Sequence, residues 1–119
     1  MNIQHIIDEV KANPRFSEAG MILVHNGVVR ATTRDGRAVS GLRVSVDRKR
    51  LTEVLEIYRR RKGILEVRVE INADQDLTIG DDVMALVVAG DIRENVITTL
   101  KEALDEIKTT VTAKTEFMA

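Results

Sequence analysis

The sequence has no cysteine and no tryptophan, and it has only two histidines and one proline in 119 residues. The lack of cysteine excludes disulfide bonds, thiolate zinc sites and cysteine nucleophiles. With His5 and His25 as the only imidazoles, a histidine-rich metal site is disfavoured. The acidic pair Asp81–Asp82 could bind a hard cation, but surface turns are commonly acidic. We therefore predict no metal and no cofactor.

Neither sign of charge predominates, and there is no long apolar run. The 18 basic and 19 acidic residues give a net charge of −1, so total charge provides no argument for nucleic-acid binding. The first ten residues lack the basic start and apolar core of a signal peptide, and no segment approaches the roughly 20 apolar residues that span a bilayer. We expect a cytoplasmic protein without nucleic-acid or membrane partners, folded as a single domain over residues 1–119.

The order of apolar and polar residues predicts an α+β domain. Three segments have the 3.6-residue period of helices, and the others alternate or are short and apolar as strands are. The predicted elements are a helix at residues 2–12, strands at 21–29 and 42–46 joined as a hairpin through an Asp35–Gly36 turn, a helix at 48–62, strands at 65–71, 77–79 and 82–89, and a final helix ending near 108. This order predicts a largely antiparallel sheet covered by helices.

Short polar residues and glycines mark the expected ends and irregularities of these elements. Asp47 and Asp91 are predicted N-caps, and Glu94 would complete a capping box with Asp91. Gly63 is predicted to end the second helix. Gly27, inside the first strand, predicts a bulge or a close backbone approach, and the strand at 65–71 is expected to have one solvent-exposed face.

The final helix combines one apolar stripe with a lysine at its carboxyl end. The stripe consists of Val96, Ile97, Leu100, Ala103, Leu104 and Ile107. A cation in the last helical turn is favoured by the helix dipole, so the simplest interpretation of Lys108 is a surface lysine. Arg30 lies at a strand end, where a ligand could be met, although a surface ion pair is its default role. His25 is predicted to pack or pair structurally.

The helix predicted at 48–62 is basic at both ends. Its basic residues are Arg48, Lys49, Arg50, Arg59, Arg60, Arg61 and Lys62. Such a run is usually a solvated helix face, and the alternative is a surface that binds an anion or nucleic acid; no aromatic residues interleave with the charges, which disfavours single-stranded nucleic acid. The signatures GxxxxGK[ST], GxGxxG, GxSxG and HExxH are absent. The residues alone thus predict a fold class without an activity.

Three segments, taken together, resemble the large, catalytic subunit of molybdopterin synthase, the MoaE family. They are Gly27-Val28-Val29-Arg30 with the glycine-bearing loop that follows, Leu77-Thr78-Ile79-Gly80-Asp81, and Arg93 with Ala103-Leu104-Asp105-Glu106-Ile107-Lys108. Their order and separations match across residues 19–116. The resemblance implies an α/β-hammerhead fold of the α+β class, and a homodimer of large subunits within a heterotetramer.

The resemblance also implies an activity. In this family a small ubiquitin-like sulfur-carrier subunit brings a C-terminal Gly-Gly thiocarboxylate, and sulfur is placed on cyclic pyranopterin monophosphate to form the dithiolene of molybdopterin. Arg30 and Arg93 match arginines expected to contact the anionic substrate, and Lys108 matches a lysine implicated in sulfur transfer. A guanidinium can hold a phosphate by two parallel hydrogen bonds, and an ammonium can stabilise negative charge that develops during acyl transfer.

The sequence departs from the family pattern at several places, which include an earlier His-Arg pair of the family that falls near Asn72–Ala73 here and a tail tryptophan that is absent. Ile92 stands where the family has the histidine that precedes Arg93, and Thr115 stands at the position of the second catalytic lysine unless Lys114 replaces it after a one-residue slip. Two hypotheses follow. The chain is a catalytic subunit that uses Lys108 and Lys114, or it is a non-catalytic relative that dimerises and binds the carrier or an anionic ligand. A third interpretation is a regulatory domain with a basic rim, unrelated to molybdenum.

Overall fold

The computed structural model describes residues 1–119 and contains three helices and six strands. In chain order they are α1 (Ile3–Lys11), β1 (Met21–Val28), β2 (Val39–Val46), α2 (Arg48–Arg59), β3 (Ile64–Ile71), β4 (Leu77–Thr78), β5 (Asp82–Gly90), α3 (Arg93–Glu106) and β6 (Thr112–Met118). A 3-10 turn (Phe16–Glu18) precedes β1, and one turn of π-helix (Ile107–Val111) joins α3 to β6. All strand pairs are antiparallel, so the predicted α+β class is confirmed. None of the helices has the length and apolar character that crossing a membrane requires.

The strands form two three-stranded sheets. The first has the order β1-β5-β3 and the second has the order β4-β2-β6. The predicted hairpin between the first two strands is therefore wrong, because β1 pairs with β5 while β2 pairs with β4 and β6. The turn at Gly36 does form, with φ at +91°, but it closes only an isolated bridge between Thr32 and Ala38. The loop is longer than the two to five residues typical of hairpins, and the strands it joins enter different sheets.

β5 is the central strand of the first sheet and is buried on both faces. Its side chains alternate between two cores, so that Met84, Leu86 and Val88 pack with α2 and α3. The residues between them, Ala85, Val87 and Ala89, pack with α1 on the opposite face. A strand covered on both faces needs apolar residues at every position, which is why the continuous apolar run was enough to predict this strand from the sequence.

β3 differs in part from its predicted environment, because α1 covers part of its polar face, whereas Glu70 on the same face is exposed as predicted. α1 packs on that side, where Arg68 forms an ion pair with Glu9. The side chain of Glu66 is only 15% exposed and lies 3.8 Å from Arg68. The charged residues Glu66 and Arg68 are therefore ion-paired beside α1, while Glu70 faces solvent.

The start of α3 also differs from the sequence prediction. The helix begins at Arg93, and its N-cap residue is Ile92, which offers no capping side chain. The carboxylate of Asp91 instead accepts hydrogen bonds from the backbone N–H of Ile92 at 2.7 Å and from the side-chain amide of Asn95 at 2.9 Å. No capping box forms, since Asp91 lies one residue too early.

α2 begins as predicted and ends earlier than predicted. Asp47 caps it by accepting a hydrogen bond from the backbone N–H of Arg50 at 3.0 Å. The helix ends at Arg59, and Gly63 turns the chain into β3 with φ at +80°. A Cβ at Gly63 would lie 2.5 Å from Oδ1 of Asp91, so both its backbone conformation and its surroundings require glycine.

Candidate functional site

A cleft of about 320 Å³ lies between the two sheets and is lined by residues from both. β1 and β5 contribute from the first sheet, and β2, β6 and the π-turn contribute from the other side. Its polar lining residues are His25, Arg34, Lys108, Thr112 and Lys114, and its apolar walls include Leu42, Val44, Val83 and Met84. No lining residue is acidic, so the cleft is cationic.

Lys108 lies in the π-turn that follows α3, and not in a regular helical turn. Neighbouring threonines satisfy the carbonyl groups at the end of the helix. The hydroxyl of Thr109 donates to the carbonyl oxygen of Asp105 at 2.9 Å, and that of Thr110 donates to the carbonyl oxygen of Glu106 at 2.8 Å. Single π-turns of this kind occur frequently at functional sites, and this one brings Lys108 to the cleft.

Lys114 comes from β6, a strand that forms where the sequence indicated only a short tail. β6 pairs with β2 along most of its length. Successive side chains of a strand point to opposite faces, so Thr112 and Lys114 both line the cleft, whereas Thr115 is directed away from it. The structure thus brings Lys114 together with Lys108. The Nζ atom of Lys114 lies 4.0 Å from a carboxylate oxygen of Glu116.

The two arginines predicted to contact substrate do not line this cleft. Arg30 follows β1, and its Nε donates a hydrogen bond to the carbonyl oxygen of Thr32 at 3.0 Å. Arg93 lies at the opposite end of α3 from Lys108, with its Nε 3.4 Å from the carboxylate of Glu94. Their role as substrate contacts stays a prediction.

Arg34 is a cleft cation that sequence reasoning missed. It lies in the loop between β1 and β2, and its side chain lines the cleft without an ion pair or hydrogen bond to the protein. Arg37 in the same loop is paired with Asp35 at 3.2 Å. The sequence signal was a basic loop containing glycine. Only the placement of that loop beside the second sheet distinguishes Arg34 from its neighbours.

His25 also lines the cleft, and its ring makes no hydrogen bond or ion pair with the protein. It pairs in register with Leu86 of β5, next to a bulge between Gly27 and Val28 that agrees with the prediction for Gly27. A Cβ at Gly27 would lie 3.3 Å from Nε2 of His25, so the imidazole leans over this glycine. Burial, and secondarily the positive charge of Lys108, lower the pKa of His25 below its ordinary value. The imidazole is therefore neutral near pH 7.

α2 braces the chain on both sides of Lys108. The carboxylate of Glu106 accepts hydrogen bonds from the hydroxyl of Tyr58 at 2.5 Å and from the guanidinium of Arg50 at 2.8 Å. Nε of Arg50 also donates to the hydroxyl of Thr110 at 3.3 Å. Charge-assisted hydrogen bonds of this kind are stronger than neutral ones, so they hold the π-turn in place.

Three other arginines of the basic segment are paired with carboxylates, whereas Arg48 has no ion pair. Arg59 lies 3.9 Å from Glu66, Arg60 lies 3.4 Å from Glu56, and Arg61 lies 3.2 Å from Glu102. This pairing favours the interpretation of the segment as a solvated, ion-paired helix face, because four of its seven basic residues are already paired with carboxylates.

Tyr58 allows the brace to be tested spectroscopically, since the chain has one tyrosine and no tryptophan. Burial, followed by the hydrogen bond to Glu106, raises the pKa of Tyr58 from 10.0 to about 12. We expect tyrosinate absorbance to develop with a midpoint near pH 12 in the folded protein, and Glu106→Gln to lower this midpoint. The unfolded chain loses the proton first, so the raised pKa stabilises the fold below pH 10, and this contribution disappears as the pH rises from 10 to about 12.

The control for this titration is Glu94→Gln, on the same helix but exposed and paired only with Arg93. It should leave the midpoint of Tyr58 unchanged. A midpoint near 10 in the folded wild-type protein would show that the Tyr58–Glu106 hydrogen bond does not form in solution.

Comparison with known proteins assigns this chain, with its α+β fold and cationic cleft, to a family. The family model described as MoaE protein matches residues 1–110. The chain therefore belongs to the MoaE protein family, which associates it with molybdenum cofactor biosynthesis. The matched region ends before β6, so it includes Lys108 but not Lys114.

Solved structures with the same fold come from several bacteria. A molybdopterin synthase from Staphylococcus aureus has a TM-score of 0.81 and 18% identity, with 100% of this chain and 86% of that chain covered. A complex of subunits 1 and 2 of molybdopterin-converting factor from Helicobacter pylori 26695 has a TM-score of 0.73 and 16% identity, with 100% and 84% covered. Molybdopterin cofactor biosynthesis protein E from Burkholderia multivorans ATCC 17616 has a TM-score of 0.78 and 19% identity, with 100% and 82% covered. At these identities the likeness establishes the fold. No curated protein matches the sequence.

Proposed function

We propose that this protein is the catalytic large subunit of a molybdopterin synthase. It transfers sulfur from a thiocarboxylated, ubiquitin-like small subunit ending in Gly-Gly to cyclic pyranopterin monophosphate, and it works in the cytoplasm as a homodimer within a heterotetramer. The observation that carries the proposal is the meeting of Lys108 and Lys114, from different elements, in one cleft without acidic lining residues. The family assignment and the two-subunit complex from Helicobacter pylori support it.

The charge of the cleft suits this reaction. Both reactants are anions, since one is a phosphate ester and the other ends in a thiocarboxylate, and they repel each other when they meet. Arg34, Lys108 and Lys114 place three cations where the two would come together, which offsets that repulsion most effectively where water is partly excluded. A volume of about 320 Å³ lies within the range of small-molecule sites.

The roles that we propose for lining residues follow from the chemistry of their side chains. Lys108, which has no protein partner in the structure, stabilises negative charge on the carbonyl oxygen or the sulfur during acyl transfer. Lys114 and Arg34 hold the anionic groups of the substrate, and Arg34 can bind a phosphate through two nitrogens. The apolar side chains of Leu42 and Val44 form a wall for the ring system. Arg30 and Arg93 are retained as substrate contacts outside this cleft.

The test of the proposal is a single-turnover reaction of the purified protein with cyclic pyranopterin monophosphate and the thiocarboxylated small subunit from the same source. We expect a dithiolene product. A protein that binds the small subunit but forms no product would instead be the non-catalytic relative. That second candidate is favoured by Ile92, a residue 54% exposed where the family has a histidine. Absence of both product and binding would leave only the regulatory interpretation.

Arg34→Ala should weaken the binding of the pterin substrate by about 10- to 100-fold, because a charge-assisted hydrogen bond contributes about 1.5–3 kcal/mol. The rate at saturating substrate should change much less, since Arg34 lies in the loop at the cleft edge and acts in binding. Titration calorimetry and the dependence of rate on substrate concentration measure the two effects separately. Arg37→Ala is the matched control, because Arg37 belongs to the same loop but pairs with Asp35. Equal losses in both variants would show that the loop contributes only general positive charge.

A further inference from the structure

His25 is the titratable cleft residue to which the proposed function assigns no task. Its ring lines the cleft, lacks a protein partner and leans over Gly27, where any side chain would press against Nε2. A histidine that serves packing alone usually satisfies its polar nitrogen atoms with protein partners. The free ring nitrogen is therefore available to a molecule in the cleft.

The chemistry of sulfur donation requires a group that accepts a proton. A carrier that arrives as a thiocarboxylate and leaves as a carboxylate must exchange sulfur for a water oxygen at its acyl carbon. Once the sulfur is bonded to the pterin as well, the linkage is a thioester. Water then forms the new C–O bond, the C–S bond breaks, its electron pair leaves with the sulfur as a thiolate, and the water gives up a proton.

The other charged groups of the cleft cannot accept that proton. An arginine or a protonated lysine has only donors, which describes Arg34, Lys108 and Lys114, and the hydroxyl of Thr112 is a poor base. The cleft has no acidic lining residue. Among the lining residues a neutral imidazole is then the only side chain of suitable basicity. The carboxylate nearest to Lys114, that of Glu116, is not a lining residue and is paired with that lysine.

We propose that the imidazole of His25 is the general base that takes the proton from water when the carrier thioester is hydrolysed. The inference rests on the proposed function and adds a residue to it. His25 is then a catalytic residue whose task differs from that of Lys108, since the lysine stabilises the leaving thiolate while the imidazole accepts the proton.

The groups around His25 keep it in the form that this task needs. The charged groups that line the cleft are Lys108 from the π-turn, Lys114 from β6 and Arg34 from the β1–β2 loop, and all three are cations. Glu116 of β6 does not line the cleft and lies 4.0 Å from Lys114. From β5 the cleft receives the uncharged side chains of Val83 and Met84. Burial and Lys108 both lower the pKa of His25, so it is neutral at the start of the reaction, and the same cations promote release of the accepted proton to solvent.

The test compares His25→Gln with His5→Gln in the single-turnover assay over a range of pH. Glutamine keeps the size and hydrogen-bonding capacity of His25 but accepts no proton, and we expect product release to slow by at least about 100-fold, with loss of the decline in rate on the acidic side of the profile. His5 is exposed and pairs with Glu9 on α1, so His5→Gln should behave as wild type. Added imidazole should restore part of the activity of His25→Ala, which a merely structural role would not allow.

The outcomes separate this inference from the proposed function. Wild-type protein without product would refute both. Active wild-type protein with a His25→Gln variant of equal rate and pH profile would refute only the role of His25. The juxtaposition of the two residues is tested without activity, by following both histidine ring signals in a proton NMR titration of Lys108→Met. The midpoint of His25 should rise and that of His5 should not, and an unchanged His25 would overturn the inference.

Discussion

Lys108→Ala should reduce the single-turnover rate of sulfur transfer by about 100- to 1,000-fold, the usual effect of removing a group that stabilises developing negative charge. The loss should fall on the chemical step, because Arg34 and Lys114 remain in the cleft to hold the anionic reactants. Quenched-flow measurement of the dithiolene product, together with a binding measurement for the small subunit, distinguishes the two effects. The carrier affinity should change little.

Lys101→Ala is the matched control for this variant, since Lys101 is an exposed lysine on α3, the helix that leads into the π-turn. It removes the same charge without touching the cleft. Lys108→Arg should retain part of the activity, because the positive charge is kept while its position shifts. If Lys101→Ala and Lys108→Ala lower the rate equally, Lys108 contributes only to the general charge of the surface.

Ile107→Ala should lower the free energy of unfolding by about 2–5 kcal/mol, as large-to-small substitutions in well-packed cores do. Ile107 has no exposed surface and packs in the core formed by α2, α3, β3 and β5. It also precedes Lys108, so its loss leaves a cavity beneath the π-turn. Urea denaturation should show a lower midpoint with an unchanged slope.

Ile97→Ala is the control for the core substitution. Ile97 is the same residue type on the same helical stripe, but it is 48% exposed, so its truncation should cost about 0.5 kcal/mol or less. Similar losses for the two variants would contradict the arrangement in which Ile107, and not Ile97, faces the core.

The elements of this fold were largely predictable, because their signals are local. Asp47 before a helical pattern and the continuous apolar run of β5 each identify an element without knowledge of the rest of the chain. The pairing of strands is not determined locally, and the wrongly predicted hairpin shows the difference. β1 and β2 are neighbours in sequence, but β1 pairs with the long, buried strand β5 and therefore belongs to another sheet. The exposure of Ile97 has the same origin, since helical spacing shows a stripe but not how much of it is covered.

The candidate site was predictable only in part. The family resemblance indicated Lys108 and Lys114, and the structure places both in one cleft. Arg34 and His25 escaped prediction for physical reasons that differ. The direction of Arg34 depends on where a long loop lies, and the environment of His25 depends on a sheet that joins the cleft from elsewhere in the chain.

β6 has a further consequence for how this site can vary. Lys114 faces inward because it lies two positions after Thr112, the first residue of the strand. The length of the segment between α3 and β6, and not its composition, therefore decides which residue of the strand faces the cleft. A relative with one residue more before its lysine must begin its strand one position later, or lose the second cation. A comparison of relatives by sequence position alone would miss that two such lysines are equivalent. Counting residues from the start of the strand shows the equivalence.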